Sequence, residues 1–312
     1  MNFVRNLNAR PIWRESISNL SWYHRAYLVD WGVAGFMWLV AEILRWIPVH
    51  ERDFALDDPI ISHPYTHEQV PSWANWYISV IFPIGIVVYW GLLRKSSHEA
   101  HHGALACWTA FCISHLVTDF LKNRVGRLRP DFLARCEWSD SAHACTGSSK
   151  DIHNGRMSFP SGHSSTAFSG LGFLFLFLAG KTGALHVTAS PYLSTALSSR
   201  LLRLGLAASP LVLASWIAIS RMEDYRHHKE DIVVGSLIGF ASAYLSYTIY
   251  WENPFSDKVY QQGLTAQPRF VYDSQAAPIS ATNYELANAY EDGEELGDLE
   301  AQDDQDTPRQ GR

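Results

Sequence analysis

Three short clusters carry residue types suited to an anion: KNRVGRLRP (Lys122 to Pro130), FPSGHSS (Phe159 to Ser165) and SRMEDYRHHKED (Ser220 to Asp231). Lys122, Arg129 and Arg221 supply cations without a matching cluster of acids, which suits a phosphate group and its several charged oxygens. Gly162 and its neighbours offer backbone N–H groups at a helix N-terminus, another anion-binding device. Ser161 reads as the cap of that helix, and Gly162 as a residue that permits positive φ. Two histidines on opposite sides of a phosphate could divide the roles of nucleophile and acid.

Spacing separates His227 from His228. If a helix begins near Tyr225, His227 and Asp231 are i and i+4 on one face, so the carboxylate accepts from one ring nitrogen and leaves the other free to attack phosphorus. His228 is rotated by about 100° and has apolar Ile232 as its i+4 partner, so a structural role is its default. His163 is left as the acid for the leaving oxygen and the base for water in a second step. His163, His227 and Asp231 could also hold zinc, but the Lys and Arg residues around them argue against a metal.

Taken singly, each cluster has a plainer explanation. Basic residues beside a membrane span are common interfacial anchors, Pro-Ser-Gly-His is a common turn and cap, and paired histidines at a helix start are often structural. Their emergence on one side of one membrane favours the chemical reading.

The elements that must position them are apolar blocks. The chain has 312 residues, 47% of them hydrophobic and twelve of them Trp, in runs separated by charged loops, as in a multi-pass membrane protein. Six runs are long enough to span: Leu28 to Ile47, Trp73 to Leu93, Gly103 to Leu121, Ser164 to Gly180, Leu201 to Ile219 and Ile232 to Trp251. The first contains Glu42 and Arg45, three apart and able to pair on one helix face. Pro210 and Arg203 in the fifth are tolerable in a packed membrane helix. The expected fold is therefore all-α, an integral membrane bundle of six transmembrane helices. It is organised as a cytosolic arm (1–27), a six-span domain (28–251) and a tail (252–312). No cleavable signal is apparent.

Six spans put both termini on one side. The arm and the loops after the second and fourth spans are basic, whereas the loop after the first has Arg52 against five acids, so the termini are expected in the cytosol. The other two loops are basic on the opposite face and break that rule, so their charges need another reason. Cys136 and Cys145 lie nine apart in one of them, in an oxidising compartment on this topology, and could pair as a disulfide. Cys107 and Cys112 fall inside an apolar run and read as buried thiols.

The net charge of −6 is concentrated in the tail, where Glu252 to Arg312 holds thirteen acids and four bases, leaving the rest at about +3. That composition cannot bury enough apolar area to offset its ordering entropy, so a disordered acidic tail is expected.

Lys-x6-Arg-Pro, Pro-Ser-Gly-His and Ser-Arg-x5-His-x3-Asp, quoted from Lys122 to Asp231, are similar to the three signature motifs of the type-2 phosphatidic acid phosphatases. The wording KNRVGRLRPDFLARC and the six spans most resemble the fungal diacylglycerol pyrophosphate phosphatases and lipid phosphate phosphatases within that superfamily. The resemblance covers roughly Asp30 to Trp251. It implies metal-independent dephosphorylation of phosphatidate, lysophosphatidate and diacylglycerol pyrophosphate through a phosphohistidine, with no cofactor. By position, His227 would be the nucleophile, Asp231 its orienter and His163 the acid, and Lys122, Arg129, Ser161, Gly162 and Arg221 would bind phosphate. Lipid phosphates in the membrane would be the partners, with no nucleic acid. The site would face the lumen or exterior of a vacuolar, other endomembrane or plasma membrane.

One departure is Lys229, where many relatives carry an aromatic residue. A polyprenyl-pyrophosphate or sugar-phosphate phosphatase of the same superfamily is a neighbouring reading, and a non-catalytic lipid-phosphate-binding protein is one of another class. The vanadium haloperoxidases resemble the same motifs, but six apolar spans speak against them.

Overall fold

In a bilayer core no water is present to satisfy backbone N–H and C=O groups, so an apolar run of about 20 residues is stable as a helix. The computed structural model describes residues 22–186, 198–255, 266–269 and 271–272. The chain forms two units, Met1–Arg269 and Phe270–Arg312, and every element named below belongs to the first. Most of the expected N-terminal arm and of the expected acidic tail lies outside the described residues.

The elements run α1 (Ala26–Leu44), α2 (Ser72–Leu93), α3 (Ser97–Val125), α4 (Phe132–Cys136), β1 (Trp138–Ser139), β2 (Ala144–Cys145), α5 (Ser149–Gly155), α6 (Gly162–Thr182), α7 (Arg200–Glu223) and α8 (Lys229–Tyr250). Six of these, α1, α2, α3, α6, α7 and α8, are long and apolar enough to cross a membrane. The protein is therefore an all-α multi-pass membrane protein, as its apolar runs predict. Large apolar side chains such as Phe36, Tyr89, Val212 and Leu237 lie on the outside of the bundle, where a bilayer would meet them.

Helix α6 is the centre of the bundle. It is the most buried of the six and packs against α8, α7, α3 and α2. Small residues allow this. In α2 a π-helical turn at Tyr77–Ile81 precedes Pro83, which has no N–H to give to the Ser79 carbonyl four residues back. That carbonyl meets Gly170 of α6, where an added Cβ would sit 1.5 Å from it.

The starts of the third and sixth spans differ most from the sequence expectation. The third span was expected to start at Gly103, because His98, Glu99, His101 and His102 are polar; α3 instead starts at Ser97, with Ser96 Oγ capping the Glu99 amide at 3.1 Å. The polar turn is accommodated because His102 meets the Tyr27 hydroxyl at 2.7 Å and Trp22 Nε1 donates to Ser97 Oγ at 3.1 Å. The sixth span was expected over Ile232 to Trp251, with His227 and Asp231 on one face if its helix began near Tyr225; α8 instead begins at Lys229 with His228 as its N-cap. Glu42 and Arg45 do pair, at 3.2 Å.

The connection from α3 to α6 is an ordered subdomain at the end of the bundle. A disulfide joins Cys136 to Cys145 across the β1–β2 hairpin, with Cα atoms 4.7 Å apart. Ile61, Leu128, Phe132 and Cys136 form its small core. Gly126 ends α3 in the left-handed region at φ 58°, so the chain turns sharply and delivers Arg127 and Arg129 back over the helix ends.

The contact at Gly170 leads to a prediction. Gly170→Val places a side chain against the α2 backbone and should lower stability by about 1–3 kcal/mol or more, whereas Gly205→Ala meets nothing within 4 Å and should not destabilise. Thermal unfolding of both variants in detergent measures the contrast.

Candidate active site

The three sequence clusters come together at one end of the bundle, and a single carboxylate links them. Asp231, fully buried in the first turn of α8, accepts from Arg127 Nη1 of the first cluster at 2.8 Å. Its Oδ2 accepts from the Ser158 hydroxyl, beside the second cluster, at 2.5 Å. The same oxygen accepts from the His228 backbone amide at 3.0 Å, which with the His228 side chain completes a capping box.

This geometry differs from the expected helix-face pairing of His227 with Asp231. Because α8 starts at Lys229, His227 lies on the preceding loop. Its Nδ1 is 3.7 Å from Asp231 Oδ2, beyond hydrogen-bond reach, and is 2.7 Å from the Ser158 carbonyl. A carbonyl oxygen only accepts, so Nδ1 carries the proton and donates, and Nε2 keeps its lone pair. Ser158 thus bridges the pair: its hydroxyl holds the carboxylate and its carbonyl fixes the imidazole. His228 meets Asp231 Oδ2 through Nδ1 at 3.3 Å and acts locally, as a cap.

Burial keeps His227 neutral. Its pKa is lowered to about 3, chiefly by desolvation, with the Arg129 and Lys122 charges reinforcing the shift and Asp231 opposing it. Arg129 lies in the connection after α3 and is also pushed down by burial, with Asp131 opposing. Among the described residues neither Lys122 nor Arg129 forms a salt bridge, whereas Arg221 Nη2 donates to Asp224 Oδ2 at 2.7 Å.

The buried side-chain atoms with no protein hydrogen-bond partner include Arg129 Nε, Arg221 Nη1 and His163 Nε2. Unpaired buried polar groups are rare and call for an explanation. The groups that act electrostatically at His163 are Arg221, His227, Lys122 and Arg129, so these side chains converge. An anion bonded to them is the simplest explanation. No group of three or more His, Cys, Asp or Glu residues that could hold a metal occurs among the described residues.

Ser161 is the N-cap of α6 and accepts from the Ser164 amide at 3.4 Å. Its own amide donates to the Asp231 carbonyl at 2.9 Å, which seats this loop on α8. Gly162 is not at positive φ, contrary to expectation. Its lack of a side chain serves a close approach: an added Cβ would be 3.2 Å from Lys122 Nζ, so the ammonium lies over the start of α6.

Sequence reasoning missed Arg127, Ser158, Asp224 and Arg226. Arg127 and Arg226 stood inside the quoted clusters, so their charge was a signal. The part Ser158 plays through its carbonyl left none, because every residue carries that group.

The family model described as the PAP2 superfamily matches residues 103–255, which contain all three clusters. The chain is 41% identical over 207 residues to the probable diacylglycerol pyrophosphate phosphatase 1 of Schizosaccharomyces pombe, covering 63% of this chain and 71% of that protein. It is 33% identical over 237 residues to diacylglycerol pyrophosphate phosphatase 1 of Saccharomyces cerevisiae, covering 70% and 78%. With lipid phosphate phosphatase 2 of Arabidopsis thaliana it shares 29% over 242 residues, covering 74% and 79%. No solved structure gives a significant match. Together with the six spans, these relationships make the chain a membrane phosphatase that belongs to the PAP2 superfamily.

Proposed function

We propose that the chain is a lipid phosphate phosphatase acting on phosphatidate, lysophosphatidate and diacylglycerol pyrophosphate through a phosphohistidine, without a metal. The observation that carries this reading is the pairing of a neutral His227, its Nε2 lone pair freed by the Ser158 carbonyl, with the unpartnered nitrogens Arg129 Nε and Arg221 Nη1. The names of the relatives from the two yeasts and the plant support the substrate class.

In this mechanism Lys122, Arg129 and Arg221, with amides at the start of α6, bind the phosphate oxygens. His227 Nε2 attacks phosphorus in line with the leaving oxygen, and His163 gives that oxygen a proton. The P–O bond breaks as the P–N bond forms, releasing the lipid alcohol, or the lipid monophosphate from a pyrophosphate. His163 then takes a proton from water, whose oxygen attacks phosphorus, and inorganic phosphate leaves with His227 neutral again. Asp231 favours the imidazolium character that develops on His227 in the transition state. Three cations around the anion supply the charge stabilisation that a metal gives elsewhere, so none is needed in this reading. The loop charges support a topology with the termini in the cytosol and the site on the opposite face of a domain over 28–251.

Brief incubation with labelled phosphatidate should give an acid-labile phosphoprotein that His227→Ala abolishes together with turnover. His228→Ala should keep both per folded molecule while losing about 0.5–2 kcal/mol of stability with the cap. Loss of labelling in both variants would overturn the choice of nucleophile. His163→Ala should lower turnover by about 100- to 10,000-fold. Activity of the purified chain should persist in chelator, and strict metal dependence would overturn the mechanism; in the same assay, preference for a polyprenyl pyrophosphate or sugar phosphate would change the substrate.

The pKa of His227 also predicts a pH dependence. The folded-state value of about 3 lies below the unfolded value of about 6.5, so the unfolded chain binds the extra proton. His227 therefore makes stability fall as pH drops from about 6.5 towards 3, by up to about 1.4 kcal/mol per pH unit. Melting curves of the wild type and His227→Gln between pH 7 and 4 should diverge in that sense.

A further inference from the structure

The loop between α1 and α2 carries no chemical motif and precedes the 103–255 match, yet it grips the third cluster from outside. Thr66 Oγ1 donates to the Asp224 carbonyl at 2.6 Å, and the Gln69 amide donates to Asp224 Oδ2 at 3.0 Å. In return, Arg226 Nη2 donates to the Thr66 carbonyl at 2.7 Å, and the guanidinium lies over the Tyr65 ring at 4.2 Å. Asp224 and Arg226 are 3% and 2% exposed, so these contacts are not loose surface pairs.

Each gripped residue is tied to a member of the phosphate site. Asp224 Oδ2 accepts from Arg221 Nη2 at 2.7 Å, and Ser220 Oγ accepts from Nε at 3.2 Å. These bonds fix the guanidinium plane and leave Nη1 as the nitrogen without a protein partner. Arg226 is the residue before His227, and both backbone amides donate to the Arg221 carbonyl, at 3.0 and 3.2 Å. Its side chain is held from the far side by Asp131 Oδ2 at 3.3 Å. Between the two, Tyr225 adopts φ 53°, a conformation that costs a non-glycine residue energy and persists where its surroundings over-determine it.

We propose that the α1–α2 loop is a working part of the phosphate site, with Asp224 and Arg226 as the positioning residues through which it sets Arg221 and His227. This rests on the assignment of those two as phosphate ligand and nucleophile. Asp224 selects which N–H of Arg221 is offered to the anion. Arg226 fixes the peptide from which the imidazole projects, and thereby the approach of Nε2 to phosphorus. The two tasks separate kinetically: one acts on anion binding and the other on the attack itself.

The test uses the full chain purified in detergent, with a short-chain phosphatidate as substrate and orthovanadate as the phosphate analogue. Asp224→Asn should weaken vanadate inhibition about tenfold or more, because a charge-assisted bond that holds Arg221 is lost. Arg226→Lys keeps the charge but loses the fork, and should lower kcat on the order of 100-fold with KM little changed. Thr66→Val, which removes one hydroxyl at constant volume, should move vanadate inhibition in the direction of Asp224→Asn by a smaller factor. Melting curves give the folded fraction of each variant. If activity only falls in proportion to that fraction, with kcat, KM and vanadate inhibition per folded molecule as in the wild type, the inference is overturned. Retained turnover in His227→Ala or Arg221→Ala would instead overturn the underlying assignment, and the inference with it.

Discussion

One buried carboxylate organises this end of the molecule. A fully desolvated Asp231 is costly unless its oxygens are satisfied, and the donors that satisfy them come from three separate stretches: Arg127 after α3, Ser158 before α6 and the amide of His228 before α8. A charge that needs all three holds their helices in register. The same bonds anchor the residue whose carbonyl sets the tautomer of His227. Folding of this end and preparation of the imidazole are in that sense one set of interactions.

The cations follow a different logic. Arg135 and Arg226 share Asp131, and Arg156 is placed near Glu51, so these charges are spent on structure. Lys122 and Arg129 are half-buried and form no salt bridge among the described residues. The contrast separates basic residues that hold the loops from those available to an anion, a distinction invisible in the count of charges.

Much of the fold was legible because a bilayer leaves the backbone little choice: apolar runs became spans. What was misread depended on tertiary partners. The polar turn from His98 to His102 reads as a loop until Tyr27 and Trp22 are placed against it. The i, i+4 spacing of His227 and Asp231 suggested one helix face on the condition of a start near Tyr225, whereas His227 reaches Ser158 from a loop. The reactive side chains could be read from their types and spacing. Their supports could not, since Ser158 acts on His227 through a carbonyl and Asp224 is met by a loop more than 150 residues away in sequence.

Helix α3 has 29 residues, about 44 Å at 1.5 Å per residue, against a hydrocarbon thickness of about 30 Å. A helix that long exceeds the hydrocarbon when it stands upright, and its last turn, with Lys122, Asn123 and Arg124, is polar enough to suit the headgroup layer. A lipid phosphate bound there keeps its acyl chains at their resting depth. Lifting a chain into water would cost about 0.8 kcal/mol for every methylene, a cost that a site at headgroup depth would avoid.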